Sequence, residues 1–463
     1  AATGAGGGVV LLPPGNYLSG TIHLKSNVTL RIASGATLWA SRQAADYDPR
    51  HLLYALDAEN IAIEGNGVIN GNGDAWWDKN TARFYKVLPG RPSPLIELVN
   101  CRNVRIRDVT ILQPPGWTIH PLECDGVKIR GITIIADTRG PNTDGIDPDS
   151  SRNVSISDCY IETGDDAIVI KATGRRGAKV KPSENISVTN CVLTTTCNNF
   201  KMGTESLGDF RNISVSNCTM FRKEGTFQGP ISGMAIEMVD GATLDGVVIS
   251  NIAMRDVDTP IFIRLGNRGR GMTTPVPGKL RNVSISNVVA TGGILASSIT
   301  GLPGHLVEGV SLSNINITMK GGESEVRGLD VPENPEKYPE AKMFGPLPAY
   351  GFFVRHVAGL AMDNIRLGWD KEDARPGLIF DDVRDLEIDG LRVAAASGEE
   401  PAVWFNEVAG ALLRGARAPA GSRNFLRVTG ANTRGIRLFA NDLTGAARAV
   451  SLAPEVPAAA VMQ

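Results

Sequence analysis

The chain has 463 residues, of which 52 are glycine and 42% are hydrophobic, and its formal net charge at pH 7 is −2. A charge so close to zero argues against the basic surface typical of proteins that bind nucleic acid or anionic membranes. No apolar run approaches the roughly 18 residues of a membrane span, so no membrane span is expected. The length exceeds that of a usual single domain, which agrees with a solenoid, because a solenoid grows in one dimension.

The beginning of the chain predicts a first strand and turn over residues 9–15, where an apolar run leads into two prolines and a glycine. The residues before it include no basic n-region and no apolar h-region. We therefore expect that any secretory signal has already been removed or never existed.

A nine-residue pattern then recurs along the chain. It begins with Asn, alternates apolar and polar residues, and carries Asn or Asp at its sixth position, with residues 103–111 as the clearest copy. The starts recur at intervals of 23 to 36 residues, apart from one interval of 50, and self-similarity at this period indicates a solenoid. The alternation within each copy is that of a β-strand. Further copies begin at Asn153, Asn185, Asn212 and Asn282, and weaker ones at Gly126, Gly246, Gly309, Gly359 and Asp385.

These strands are short, are separated by Gly and Asn turns, and have no amphipathic helices between them, which argues against a doubly wound α/β fold. We predict an all-β chain that forms a single-stranded right-handed parallel β-helix of the pectate-lyase-like type, as one domain over residues 1–463. Residues 320–350 interrupt the pattern with a Pro-rich, charged loop, which is interpreted either as a lid along a groove or as a surface insertion.

The sixth and seventh positions of the pattern predict two structural columns. The Asn, Asp and Gly residues at the sixth position tolerate the left-handed backbone of a tight turn, and stacked Asn side chains can hydrogen-bond along the helix axis. Cysteine at the seventh position packs as a small hydrophobic residue. The sixth-position residues are Asp108, Gly131, Asp158, Asn190, Asn217, Asn251, Asn287, Asn314, Asn364 and Gly390, and the cysteines are Cys159, Cys191 and Cys218.

Three carboxylates in two short segments are the candidate catalytic groups: Asp144 in residues 142–145, and Asp165 and Asp166 in residues 164–167. The segments lie 21 residues apart, which is close to one repeat. They are therefore expected on neighbouring coils, where parallel strands run roughly 4.8 Å apart. Paired carboxylates are what glycoside hydrolysis requires. The competing interpretation, that acidic residues simply occupy turns, is the preferred one for Asp147 and Asp149.

In residues 142–147 and 164–168 the chain resembles the polygalacturonase family, glycoside hydrolase family 28. The resemblance extends over most of the chain and includes residues 71–77 and 117–121. It implies a hydrolase of pectic polysaccharides that inverts the anomeric configuration, uses no cofactor or metal, and is extracellular or periplasmic. A polysaccharide or oligosaccharide substrate is the partner it implies. The chain would be a divergent member, and we expect it to be bacterial.

The same resemblance assigns the catalytic roles, with Asp165 as general acid, and with Asp144 and Asp166 holding and deprotonating the attacking water. Inversion needs the acid and the base roughly 6.5–9.5 Å apart, so that a water fits between them. Crowded carboxylates raise the pKa of at least one of them. On a regular strand Asp165 and Asp166 would point to opposite faces, so we predict a kink near Gly164 that lets both reach the groove.

Two regions depart from the family pattern. Where the family has Gly-His-Gly, this chain has Asn198 near the place of the His, followed by Lys201. Where the family has Arg-Ile-Lys, Arg264 keeps the Arg and Gly266 replaces the Lys. In the family those residues grip the galacturonate carboxylate and orient the acid, so we expect the chemistry to be kept and the sugar to differ. Rhamnogalacturonan hydrolysis and exo action are the candidates. The predicted substrate-binding residues are Asn142, Lys201, Arg264, Asn198, Glu205, His120, Lys171 and Arg268.

Two alternatives use the same fold. A polysaccharide lyase would neutralise a uronate with calcium or with cationic side chains and abstract a proton, so its products would carry an unsaturated uronate. A non-catalytic carbohydrate-binding β-helix is also compatible, because a fold alone does not define a function. The pairing of the two acidic segments favours the hydrolase.

Overall fold

The computed structural model describes Gly4 and residues 6–174 and 179–462. The chain is all-β, as predicted, and it is organised in two compact units, Ala1–Pro230 and Ile231–Gln463. Within each unit, short strands pair in parallel with strands of the preceding and following coils, which is the predicted right-handed parallel β-helix. The single domain over 1–463 stays a prediction. No helix in the described ranges is long and apolar enough to cross a membrane.

Among the described residues of the first unit are the short 3-10 turns Ala44–Asp46 and Gly73–Trp76. Its strands are β1 Gly8–Leu12, β2 Gly15–Ser19, β3 Ile22–His23, β4 Val28–Ile32, β5 Ala36–Ala40, β6 Leu53–Leu56, β7 Glu59–Glu64, β8 Val68–Asn70, β9 Trp77–Asp78, β10 Lys86–Val87, β11 Ile96–Val99, β12 Arg102–Arg107, β13 Thr110–Leu112, β14 Ile119–Leu122, β15 Asp125–Arg130, β16 Thr133–Ile135, β17 Arg152–Ser157, β18 Tyr160–Thr163, β19 Ile168–Ala172, β20 Ser183–Thr189, β21 Val192–Thr195, β22 Asn198–Ser206 and β23 Phe210–Phe221.

The strands of the first unit form three parallel ladders. The first runs β1–β4–β7–β12–β15–β17–β20–β23, and the second runs β2–β5–β8–β13–β16–β18–β21–β23. The third begins with β3–β6–β11–β14, continues through bridges at Ile146 and Asp149, and reaches β19 and β22. The strands β9 and β10 form a separate antiparallel pair. The nine-residue pattern lies on the first two ladders, whereas the third carries the candidate catalytic residues.

The core of each coil follows from the alternation in the sequence. Val104 and Ile106 of β12 pair in register with Val127 and Ile129 of β15, and all four side chains are at most 1% exposed. Alternate residues of the same strands point outward and are polar. Each coil therefore buries its apolar side chains on those of its neighbours.

The second unit has the same construction and adds two 3-10 turns, Ala341–Phe344 and Ala458–Ala460. One ladder runs from β24 through β26, β28, β30, β31, β33 and β35 to β37, and another from β25 through β27, β29, β30, β31, β34 and β36 to β38. The strand bounds are β24 Ser232–Met238, β25 Thr243–Arg255, β26 Thr259–Leu265, β27 Lys279–Gly293, β28 Ser297–Thr300, β29 Val307–Gly321, β30 Phe352–Lys371, β31 Leu378–Asp389, β32 Arg392–Val393, β33 Pro401–Asn406, β34 Ala409–Arg414, β35 Ser422–Thr429, β36 Arg434–Phe439, β37 Ala446–Leu452 and β38 Val461–Met462.

Both predicted columns are confirmed. Every sixth-position residue has a left-handed backbone, with φ from 49° at Asn364 to 68° at Gly390. Asn side chains of this column hydrogen-bond between coils, for example Asn314 Nδ2 to Asn287 Oδ1 at 3.0 Å. The cysteines of the seventh position are at most 2% exposed. The first position of the pattern forms a second such ladder, which the sequence analysis missed.

The loop at 320–350 is bound to the strands of the second unit. Arg355 of β30 donates from Nη1 to the carbonyl oxygen of Val331 and from Nη2 to that of Leu329, at 2.6 and 2.7 Å. Arg264 of β26 donates to the carbonyl oxygen of Glu333. The loop is therefore held in place by buried arginines, and its role at a groove stays a prediction.

Candidate active site

The candidate catalytic acids lie on the third ladder of the first unit, in neighbouring coils. Ile146 pairs with Ile168, and Ile168 pairs with β22 of the next coil. Asp144 precedes Ile146 by two residues, and Asp166 precedes Ile168 by two residues. The repeat thus places these two acids at equivalent positions of adjacent coils.

The turn that carries Asp165 and Asp166 is irregular. The strand β18 ends one residue before Gly164, so the chain leaves the regular strand where the sequence predicts a kink. A Cβ atom at Gly164 would lie 2.6 Å from the carbonyl oxygen of Gly140. The close approach of these two turns therefore requires glycine at this position.

Asp165 is the partly exposed acid of the group. Its Oδ1 accepts a hydrogen bond from the backbone N–H of Asp166 at 3.0 Å, and its Oδ2 lies 3.4 Å from Asn142 Nδ2. Burial and the carboxylate of Asp166 raise the pKa of Asp165 to about 6. Asp165 is therefore able to hold a proton in mildly acidic solution.

Asp166 is buried and surrounded by donors. Lys201 Nζ lies 3.1 Å from Oδ2, and Asn198 Nδ2 donates to Oδ1 at 2.8 Å. Burial works against ionisation, but Lys201 and, further away, Lys171 hold the pKa of Asp166 below its usual value. Asn198 and Lys201, two of the residues predicted to bind substrate, thus contact a candidate catalytic carboxylate.

Lys171 lies among three carboxylates. Its Nζ is 3.7 Å from Asp144 Oδ2, 3.7 Å from Asp147 Oδ1 and 3.5 Å from Glu205 Oε2. The ammonium also lies 4.6 Å from the centre of the Trp117 ring. Burial disfavours its charge, but the acids outweigh burial and raise the pKa of Lys171. Lys171 therefore remains charged and lies between acids of the preceding and the following coil.

Asp144 and Asp147 are almost fully buried, at 2% and 0% exposed. Burial and the carboxylate of Asp165 raise the pKa of Asp144 well above its usual value. Burial also raises the pKa of Asp147 to about 7, against the attraction of Lys171. Neither oxygen of Asp147 has a hydrogen-bond partner among the described residues.

His120 lies deep in the same ladder, between two acids. Its Nδ1 is 2.7 Å from Glu97 Oε2, and its Nε2 is 3.6 Å from Asp149 Oδ2. Burial works against its charge, but Glu97 and Asp149 raise the pKa of His120 to about 10. In turn, His120 lowers the pKa of Asp149 to about 2 despite burial. His120 is therefore a buried cation at neutral pH.

Arg264 and Arg268 lie in the second unit. Arg264 is 1% exposed and donates from Nη1 to the carbonyl oxygen of Gly301 at 2.8 Å. Arg268 Nε donates to Asp240 Oδ1 at 3.0 Å. Their binding to substrate stays a prediction.

Four residues around the acids were missed or misinterpreted in the sequence: Glu97, Trp117, Asp147 and Asp149. The two aspartates were interpreted as turn residues, but both are buried beneath cations. A signal existed, because the acids at 147 and 149 alternate with apolar residues, as the outward positions of a strand do. No comparable local signal marks the pairing of Glu97 with His120, which depends on the stacking of coils.

One group of residues has the composition of a metal site. A carboxylate oxygen from each of Asp165 and Asp166 and the Cys197 sulfur lie within 4.8 Å of one another. Because Lys201 already lies beside Asp166, a cation there would face electrostatic repulsion. We assign no metal to this group.

On this parallel β-helix an acid of raised pKa lies beside one of lowered pKa, a pairing that can supply the proton donor and the proton acceptor of glycoside hydrolysis. The family model described as "Glycosyl hydrolases family 28" matches residues 8–335, and the chain belongs to this family. It is therefore a glycosidase that hydrolyses O-glycosyl bonds, as the sequence predicts.

The relatives of the chain come from plants and bacteria. A probable polygalacturonase of Vitis vinifera is 27% identical over 351 residues, which cover 69% of each chain. An endo-polygalacturonase of Pectobacterium carotovorum is 29% identical, and the alignment covers 53% of this chain and 64% of that protein. The crystal structure of an exopolygalacturonase from Thermotoga maritima is similar with a TM-score of 0.58 and 25% identity, covering 79% of this chain and 85% of that one.

Proposed function

We propose that the chain is an inverting glycosidase of pectic or related uronic-acid-containing polysaccharides or oligosaccharides. The observation that carries the proposal is the opposite environment of two neighbouring acids, since the pKa of Asp165 is raised and that of Asp166 is lowered. Adjacent carboxyl groups whose pKa values are pushed apart divide the roles of acid and base between them.

In the proposed reaction, Asp165 gives its proton to the glycosidic oxygen as the bond from that oxygen to the anomeric carbon breaks. Water attacks the anomeric carbon from the opposite face and loses a proton to Asp166. Asp144 accepts the second hydrogen bond of that water. Each acid exchanges its proton with solvent before the next cycle, and the product sugar has the inverted configuration.

The substrate class is supported by the relatives, whose names are those of exo- and endo-polygalacturonases. Within this substrate class we propose two more specific activities, hydrolysis of rhamnogalacturonan and exo action. An extracellular or periplasmic location is part of it, since that is where the polymeric substrate would be met.

The experiment is a digestion panel of pectin-derived oligosaccharides, with proton NMR following the anomeric configuration of the first product. We expect net inversion in products without ultraviolet absorbance. Net retention would contradict the mechanism, an absorbing unsaturated uronate would indicate a lyase, and cleavage of none of the panel would refute the substrate class. The product lengths distinguish exo from endo action.

A further inference from the structure

Arg91 lies beside the loop that carries the catalytic Asp144. Its Nη1 donates to the carbonyl oxygens of Pro115, at 3.3 Å, and Pro141, at 2.7 Å. Pro141 is directly followed by Asn142, whose side chain contacts Asp165. One end of the guanidinium is therefore anchored to the segment that leads into the active site.

The guanidinium of Arg91 packs against the backbone at Gly116, where a side chain would leave it no room. A Cβ atom at Gly116 would lie 3.0 Å from Arg91 Cζ and 2.4 Å from Ser93 Oγ. Trp77, which is 4% exposed, also donates to the carbonyl oxygen of Pro115, at 2.9 Å. One anchor of Arg91, the carbonyl group of Pro115, is thus itself held by a buried side chain.

The other edge of the guanidinium makes no hydrogen bond to the described residues. Arg91 is half-buried, and no acceptor in the described ranges takes a hydrogen bond from Nε or Nη2. Asp144 is close enough to act on the charge of Arg91, yet the two do not form a direct ion pair. Nε and Nη2 together make one side of the fork that binds a carboxylate through two parallel hydrogen bonds.

Unlike Arg91, two of the cations that the sequence predicts to bind substrate lie against acids of the protein. Lys201 lies beside Asp166, and Lys171 is surrounded by three acids. Their charge is directed at protein carboxylates, so a substrate carboxylate would have to compete for them. Among the described residues no acid lies at hydrogen-bond distance from Arg91, whose anchors are uncharged carbonyl groups.

We propose that Arg91 binds the carboxylate of a uronic acid residue of the substrate and makes the enzyme select acidic over neutral sugars. This inference rests on the proposed function, because it names the group of the substrate that the active site recognises. An Arg–carboxylate pair formed through Nε and Nη2 orients the sugar as well as attracting it.

The test compares Arg91→Gln with wild type on two matched substrates: an oligogalacturonide, and the same oligosaccharide with its carboxylates reduced to primary alcohols. We expect the variant to lose about 10- to 100-fold in kcat/KM on the acidic substrate, mostly through KM, and little on the neutral one. Arg91→Lys keeps the positive charge without the two parallel N–H donors, and its kcat/KM on the acidic substrate should fall less than that of Arg91→Gln. The matched control is Arg139→Gln, because Arg139 also donates to a backbone carbonyl, that of Arg83, at 2.6 Å.

Equal losses on both substrates would overturn the inference and leave Arg91 a structural residue, as would a wild-type enzyme that shows no preference. A second measurement keeps the two proposals apart. Binding of both oligosaccharides to the Asp165→Asn protein, with and without Arg91→Lys, reports recognition without turnover. If wild type cleaves neither substrate, the proposed function fails, and a preference for the acidic oligosaccharide that Arg91→Lys weakens still supports Arg91. If the Asp165→Asn protein that keeps Arg91 shows no such preference, or if Arg91→Lys leaves the preference unchanged, the inference about Arg91 is refuted.

Discussion

Lys201 Nζ lies 3.1 Å from Asp166 Oδ2, and both side chains are at most 4% exposed. A buried cation beside a carboxylate favours its ionised form, and here that attraction outweighs the desolvation that would keep the acid neutral. Asp165, one residue earlier, has a raised pKa. Neighbouring residues of one turn thus have pKa values shifted in opposite directions, which is the division that the proposed hydrolysis requires.

Replacing Lys201 with Met removes the charge and keeps much of the side-chain length. The pKa of Asp166 should then rise, because the neighbouring ammonium no longer opposes burial. Since a general base acts only when ionised, the acidic limb of the kcat/KM profile should move to higher pH by about one unit or more. The measurement is kcat/KM against pH on the best pectic oligosaccharide.

Lys201→Arg is the control, because it keeps the charge and should leave the acidic limb close to that of wild type. A thermal melt of each variant shows whether it is folded. A folded Lys201→Met protein with an unmoved acidic limb would show that Asp166 is not the base whose ionisation limits the rate.

The role of Asp165 predicts both a pH limit and a rescue. Because its pKa is about 6 and the acid acts when protonated, kcat/KM should fall above about pH 6. Asp165→Asn should lower kcat on natural oligosaccharides by about 10²- to 10⁴-fold. A glycoside with a good leaving group needs no proton, so it should recover most of that loss. Asp166→Asn is the comparison, and an equal rescue of both variants would argue against Asp165 as the acid.

The fold was predictable because its determinants are local. The alternation of residues 103–111 specifies strands, and the Asn, Asp or Gly at the sixth position specifies one residue of left-handed backbone in each copy. The period of the copies also predicts that Asp144 and Asp166 occupy adjacent coils. None of these inferences requires knowledge of which side chains meet across the ladder.

The partners of the acids were not predictable in the same way. The pattern lies on the first two ladders, whereas Glu97, His120 and Lys171 lie on the third, which carries no recurring pattern. The charge of Lys171 is shared by acids from the coils on either side of it, so its contacts depend on register between coils whose lengths differ. Nothing in the sequence marked Arg91 either, because its hydrogen-bond acceptors are backbone carbonyl groups.

His120 predicts a pH dependence of stability. Its pKa in the folded protein, about 10, lies above the ordinary 6.5. The folded state therefore binds the proton more tightly, so the stabilisation is complete below about pH 6.5 and is lost as pH rises towards about 10. His120→Asn should lower the free energy of unfolding by roughly 3–5 kcal/mol at neutral pH, because two buried acids lose their cation. Urea denaturation at several pH values measures this.

His51→Asn is the matched comparison, because burial lowers the pKa of His51. Its contribution has the opposite sign, since stability that depends on a neutral imidazole is lost as pH falls. If wild type and His120→Asn lost stability in parallel between about pH 6.5 and 10, the buried charge on His120 would be refuted.

The Asn ladder of the second unit gives a prediction that separates backbone strain from hydrogen bonding. Asn314 has a φ of 53°, donates to Asn287 Oδ1 at 3.0 Å and accepts from Asn364 Nδ2 at 2.9 Å. Asn314→Ala loses both hydrogen bonds. It also puts alanine, which cannot hydrogen-bond through its side chain, in the left-handed region, so the free energy of unfolding should fall by about 2–3 kcal/mol. Asn314→Gly loses the same hydrogen bonds without the backbone strain, so its loss of unfolding free energy should be about 1 kcal/mol smaller than that of Asn314→Ala. The midpoint of urea denaturation measures both, and equal midpoints for the two variants would mean that the ladder position carries no backbone strain.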